Sequence, residues 1–339
     1  MHCRLHNALK ANELGTQLQN ISPNTGIKIA IFDANTELKQ QLEKYKPKIV
    51  INTVGPFQTA NYNIAKICIE CGVHYIDLAD GREFVCNISN LNAAATSAKI
   101  SVISGASTVP ALSSAVIEQI KGEFSEITML NYGISPGQKA ERGLATTQGI
   151  LTYIGKQIPA PKGSANIRYG WQDIHHITYP QLGKRWMANC EIPDFDLLPQ
   201  KYNIKKMNFS AGMESSLLHL SIWSLSWLVR FGLPVKLVNY AAPLLKISQL
   251  FDWLGTKDGG MHMIFNGLNL EGRPKSIKWY IIAKDGDGPQ IPTVPTIIIA
   301  KKIMRDQFDY IGAMPCVGIV SLDECIQELD GFNIKTYQV

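Results

Sequence analysis

Apolar residues in the first 125 positions follow two alternating rhythms. Leu5, Ala8, Leu9, Leu14 and Leu18 approximate one helical face over 5–19. A turn at Asn20–Gly26 precedes Ile27-Lys-Ile-Ala-Ile-Phe32, which reads as a strand ending at Asp33. A polar helix over 36–45 stops before Pro47. Ile49-Val-Ile-Asn-Thr53 is a buried strand, halted by Gly55-Pro56. The alternation then repeats, with a helix over 60–71 stopped by Gly72, a strand over 74–78 and a helix over 83–98. A strand over 100–103 and a helix over 111–121 complete it.

Short β-branched strands alternating with helices specify a parallel sheet with right-handed crossovers. Each predicted strand exits through a loop with a small residue or Asp: Asp33, Gly55-Pro56, Asp80-Gly81 and Gly105. In open α/β sheets, ligands bind outside the carboxyl ends of the strands. These loops are therefore the first place to look for a site.

After residue 125 the rhythm changes. A strand over 127–132 and a helix over 142–154 lead into a turn-rich stretch, 156–211, with scattered aromatics. Apolar helices follow at 213–230 and 235–250, then an antiparallel pair over 261–267 and 276–283. Helices at 295–305 and 321–329 and a strand near 332–337 end the chain. This predicts an α/β fold, a Rossmann-like parallel sheet over 1–125 with a second α+β domain over 126–294. Elements in 295–339 are expected to return to the first domain.

Composition narrows the function classes. The 339 residues are 45% hydrophobic and 18% charged, with a net charge of +5, which suits a globular chain. The basic residues are dispersed apart from pairs such as Lys205-Lys206 and Lys301-Lys302, so no nucleic-acid stripe is present. Seven cysteines at irregular spacing read as free thiols in a reducing, cytoplasmic compartment. The apolar run 217–229 is too short to span a bilayer. Trp223 and Trp227, at i and i+4, share a face and are expected to be at least half buried, within the second domain or across a homodimer.

The isolated motifs carry little chemistry. Cys68-Ile-Glu-Cys71 has no second ligand pair for zinc and lies at a helix C-terminus, where the dipole opposes a thiolate. His175-His176 point to opposite sides of a strand. Asp285-Gly-Asp-Gly288 lacks the Glu a calcium loop needs at its twelfth position, where Thr296 stands. No metal is expected, and no residue qualifies as a catalytic nucleophile. Neither G-x-G-x-x-G nor G-x-x-x-x-G-K-[ST] occurs.

Four pieces in order resemble the saccharopine dehydrogenase-like family of NAD(P)-dependent oxidoreductases. They are Ile49–Phe57, His74-Tyr-Ile-Asp-Leu-Ala-Asp-Gly81, Ile103-Ser-Gly-Ala-Ser-Thr-Val-Pro110 and Gly286-Asp-Gly-Pro-Gln-Ile-Pro292. The resemblance implies hydride transfer between NADP or NAD and a small-molecule substrate. It sets Arg4 against the adenosine ribose phosphate, and a guanidinium that forks onto a 2′-phosphate favours NADP. Asp33 would lie near the adenine, and Thr53, Val54, Gly55, Pro56 and Phe57 near the nicotinamide. Asp80 and Arg82, in a strand-exit loop, are the substrate-side candidates. The family's first strand, Gly-rich loop, first helix and most of its second strand have no counterpart before Arg4. The chain is thus expected to be a truncated member that binds dinucleotide weakly, with exposed apolar edges at 27–32 and 49–53. The alternative reading is a non-catalytic remnant that contacts a partner or membrane surface through 213–254.

Overall fold

The computed structural model describes residues 5–160, 167–232 and 234–339. Helix α1 (Leu5–Ile21) leads to an extended segment and to α2 (Leu38–Tyr45). Strand β1 (Ile49–Asn52), helix α3 (Asn63–Glu70), strand β2 (His74–Asp77), helices α4 (Arg82–Cys86) and α5 (Asn92–Ser97), strand β3 (Ser101–Ser104) and helix α6 (Ser113–Ile120) follow. The parallel pairing β1–β2–β3 matches the alternating pattern. The fourth strand comes from far along the chain: β12 (Gly312–Pro315) pairs in parallel with β3, Gly312 opposite Ser101.

Two expectations for this region are corrected. Residues 27–32 form no strand, and Ile29 and Ile31 remain exposed. A β-rich composition does not make a strand without a neighbour for its backbone groups, and β1 pairs with β2 alone. The helix expected over 83–98 is broken by a 3₁₀ segment, Asn87–Leu91, where Asn87, Ser89 and Asn90 weaken helical continuity. The break lets Asn92 Oδ1 accept the Ala313 N–H at 3.0 Å and so dock β12.

Strand β4 (Glu126–Ser135) is central in the second sheet, with α7 (Leu144–Leu151) after it. The two-residue strands β5 (Gln157–Ile158) and β6 (Arg168–Tyr169) pair with each other. Then come β7 (His175–Tyr179), β8 (Gly183–Asn189), α8 (Asp194–Tyr202), β9 (Lys206–Met213), α9 (Ser216–Arg230) and α10 (Ala241–Gln249). The antiparallel pair β10 (Gly259–Leu268) and β11 (Pro274–Ala283) forms as its pattern predicts, and α11 (Val294–Met304) follows. The last elements are α12 (Leu322–Glu328) and β13 (Ile334–Gln338). The sheet runs β13-β11-β10-β4-β9-β8-β7, mixed because β4 and β9 are parallel. The turn-rich reading of 156–211 is therefore corrected: it supplies β5 to β8, α8 and the start of β9. The signal was blurred because one face of these strands is polar. His175-His-Ile-Thr-Tyr179 shows no clean alternation.

The opposite face of this sheet is apolar and unites the molecule. Leu130, Met207, Phe209, Met263 and Phe265 share one core with Ile117 of α6, Phe195 of α8 and Ile299 of α11. Helices α9 and α10 cover a second cluster around Trp171. Trp223 and Trp227 are more than half buried, as expected, and meet edge to face with centroids 6.5 Å apart. No helix among the described residues is long and apolar enough to cross a membrane.

Candidate active site

The exit loops of β1 and β2 meet at the carboxyl edge of the parallel sheet. Asn52 ends β1 and fixes the turn, because its Oδ1 accepts the Val54 N–H at 3.0 Å while its Nδ2 donates to Tyr75 Oη. Thr53 and Val54 are exposed, and Gly55-Pro56 lead to the buried Phe57 ring. That ring packs against Phe84 at 5.3 Å, with Ala79 and Val85 beside it. Gly81 is required for this approach: a Cβ there would stand 2.9 Å from the Phe57 carbonyl carbon and oxygen. Gln58 Nε2 then donates to Asp80 Oδ1 at 3.1 Å.

Helix α7 closes the loops from above. Ala145 stands against Gly55, and the Gln58 amide lies where a side chain on Gly149 would point. Below them, Asp77 binds the strand ends together. Its Oδ1 accepts from Ser104 Oγ, the Gly105 N–H and the Ala79 N–H at 2.8–3.0 Å. Burial pushes the carboxyl up to about 6, opposed by bonds from Gly105, Ala79, Ser104 and Tyr75. Asp77 is fully buried, which makes it a positioning group for the ends of β2 and β3.

Arg82 is committed to the second half of the chain. Its Nε and Nη2 each donate to Asp196 at 2.7 Å, Nη1 donates to the Pro159 carbonyl at 2.7 Å, and Glu191 lies 3.7 Å away. The guanidinium also lies over the Phe195 ring. Nearby, Tyr153 Oη and Cys190 Sγ are 2.8 Å apart, and burial pushes that thiol up to about 12, so it is no thiolate nucleophile. At the seam between the two sheets, Asp194 accepts from Ser113 Oγ at 2.5 Å and Tyr132 Oη at 2.7 Å, and burial raises it to about 7.

The structure thus brings Gly55, Pro56, Phe57, Asp80 and Arg82 into one neighbourhood. Asp33 stands in the turn before α2, its Oδ1 accepting from Asn35 and its N–H donating to Glu37. Arg4 lies outside the described residues. Sequence reasoning overlooked Asp77, Gln58, Glu191 and Asp196. Asp77 had a signal, since a carboxylate inside an apolar strand must find several donors. Asp196 and Glu191 had none, because their partner is more than 100 residues away in sequence. Among the described residues no group of three or more His, Cys, Asp or Glu could hold a metal ion. Cys68, pushed up to about 12 by burial, fits a structural thiol.

A parallel sheet with its exit loops facing a second, mixed-sheet unit defines the class: a Rossmann-like α/β protein with an α+β partner domain. Residues 10–150 match the saccharopine dehydrogenase NADP binding domain. Apo saccharopine dehydrogenase (L-Glu forming) from Saccharomyces cerevisiae shares the fold, with a TM-score of 0.61 at 12% identity, over 99% of this chain and 93% of that one. An amine dehydrogenase from Mycobacterium smegmatis aligns over 89% of this chain and 83% of its own, at 14% identity and a TM-score of 0.44. No curated protein matches.

Proposed function

We propose that the protein is an NAD(P)-dependent oxidoreductase whose small-molecule substrate meets the nicotinamide at the loops 53–58 and 79–82. The observation that carries this reading is the contact of those loops with each other and with α7, Gly81 against Phe57 and Gln58 on Asp80. Exposed Thr53, Val54 and Asp80 would face the reactants, while Arg82 positions the second loop through Asp196. The cofactor would supply the hydride chemistry.

The described residues do not fit the pyrophosphate. The usual cradle for that group is a Gly-rich turn of the G-x-G-x-x-G type before a helix N-terminus, and that pattern does not occur in these 339 residues. The proposal includes weak binding by the 339-residue chain itself, with a Kd above about 100 μM for NADPH, or a binding energy weaker than about 5.5 kcal/mol. Titrating NADPH fluorescence against the protein tests this. Saturation at low micromolar cofactor would show that another phosphate site exists.

A second reading rests on a specific observation. Phe231, Leu250 and Trp253 are 80%, 72% and 74% exposed around α9 and α10, with Arg230, Lys236 and Lys246 in the same region. Exposed aromatic and basic residues within one stretch of chain suit an anionic bilayer interface. Pelleting with phosphatidylserine vesicles, reversed by salt, would support peripheral attachment.

A further inference from the structure

The second sheet rolls up on its polar face. Strand β7 lies at one end of the strand order, and β10 and β11 lie beyond β8, β9 and β4. Yet Tyr179 at the end of β7 places its Oη 2.8 Å from His262 Nδ1 on β10 and packs edge to face against Tyr280 on β11. Gln181 Nε2 donates to Tyr337 Oη on β13 at 2.5 Å. A flat sheet could not make these contacts. The curl encloses a cavity of about 630 Å³, on the face opposite the shared apolar core. That volume is within the usual range for small-molecule sites, roughly 300–1,000 Å³.

Its floor is built from neutral hydrogen-bonding groups. Asn131, Asn208 and Asn189 come from β4, β9 and β8, with Ser210 and His262 beside them. Ser210 and His262 converge over bare backbone, because a Cβ on Gly133 would strike both. The amides are held in place. Arg168 donates to Asn208 Oδ1, and Asn208 Nδ2 donates to Asn131 Oδ1 at 2.6 Å. Asn189 Nδ2 donates to Asp173 Oδ2 at 2.5 Å. This leaves the Asn131 NH₂, the Asn189 Oδ1, the Ser210 hydroxyl and His262 Nε2 without a hydrogen-bond partner among the described residues. Ser210 is 4% exposed and His262 1% exposed. None of these atoms is sealed away from solvent; they open onto the cavity, where a ligand or water can pair with them.

The charges select the ligand class. Arg168 is already bonded to the Met207 carbonyl and Asn208, and Asp173 to Asn189. Arg168 and Asp173 carry opposite charges on the same lining and act on one another, so the pair adds no net charge to the cavity. Burial lowers the His262 imidazole to about 3, so it is neutral near pH 7. A mixed set of free donors and acceptors matches hydroxyl groups, which do both. Ile177 and Ile264 add apolar wall for C–H faces.

We propose that this cavity, lined by none of residues 53–58 or 79–82, is a second ligand site that binds a neutral sugar or polyol. Isothermal titration calorimetry on the full chain tests it with glucose, myo-inositol and mannitol as probes and glucose 6-phosphate as the charged control. At least one neutral probe is expected to bind saturably. Asn131→Ala and Ser210→Ala should each weaken it about tenfold, the effect of one lost hydrogen bond near the upper end of its range. Ile177→Trp, which fills the cavity from its wall, should abolish binding and serves if either alanine variant fails to fold. Absence of binding by all three neutral probes overturns the proposal. So does tighter binding of glucose 6-phosphate than of any neutral probe, or affinity unchanged in the substituted chains.

Discussion

Arg82 and Asp196 meet as a fork, two N–H groups on two carboxylate oxygens at 2.7 Å each, although 114 residues separate them. The Arg82 side chain is 7% exposed and the Asp196 side chain 25%. This pair fastens α4, beside the candidate site, to α8 of the second half.

Arg82→Ala should therefore destabilise the fold by about 3 kcal/mol, because it strands a partly buried carboxylate. Arg82→Lys should recover little of this, since an ammonium cannot reproduce the fork. Urea unfolding of the three proteins measures both effects. An Ala variant as stable as the parent would mean the pair contributes no net stability.

Gly81→Ala should cost about 1–3 kcal/mol, because the methyl group meets Phe57 backbone, which cannot rotate away. Gly122→Ala is the matched control. Its Cβ meets open space, so it should be neutral or slightly stabilising. Equal melting temperatures for the two variants would contradict the close approach of the loops.

The raised Asp194 carboxyl links stability to pH. Its value goes from 3.8 to about 7 on burial, so between those values the folded chain holds a proton that the unfolded chain has released. The contribution of this group is full below about pH 4, falls as pH rises towards 7, and is flat above. Asp194→Asn keeps an oxygen for the Ser113 and Tyr132 hydroxyls but removes the titration. The stability of the Asn variant relative to the parent should thus climb between pH 4 and 7. A pH-independent difference in chemical unfolding would show that the carboxyl is not raised.

Ser215 caps α9 by accepting the Leu218 N–H at 3.4 Å. Ser215→Ala should cost about 1 kcal/mol, read as a lower thermal midpoint. If α9 is an interfacial element, Phe231→Ser and Trp253→Ser should lower vesicle pelleting while leaving that midpoint nearly unchanged, because both side chains are exposed. Pelleting that survives both changes would rule out this surface.

The alternation of short β-branched strands with helices was enough to establish β1, β2, β3 and their exit loops, because strands of a parallel sheet are apolar along their length; burial was overestimated for β1, an edge strand that leaves Ile51 exposed. The period-two pattern likewise determined the pairing of β10 with β11. Local pattern could not decide whether Ile27–Phe32 would pair, since a strand exists only through a neighbour's backbone groups. It could not reveal β12, four weakly β-forming residues held by Ser101–Ser104, or β7, which turns both a polar His175 and an apolar Ile177 to the inside of a rolled sheet. The same limit applies to the sites. Gly55, Phe57, Asp80 and Arg82 were legible because each stands at a strand exit. Their partners were settled by tertiary contact alone: Arg82 meets Asp196, Asp194 meets Ser113 and Tyr132, and Tyr179 meets His262. Hydrogen bonds between residues so far apart in the chain depend on how two sheets pack, and packing leaves no periodic trace in the sequence.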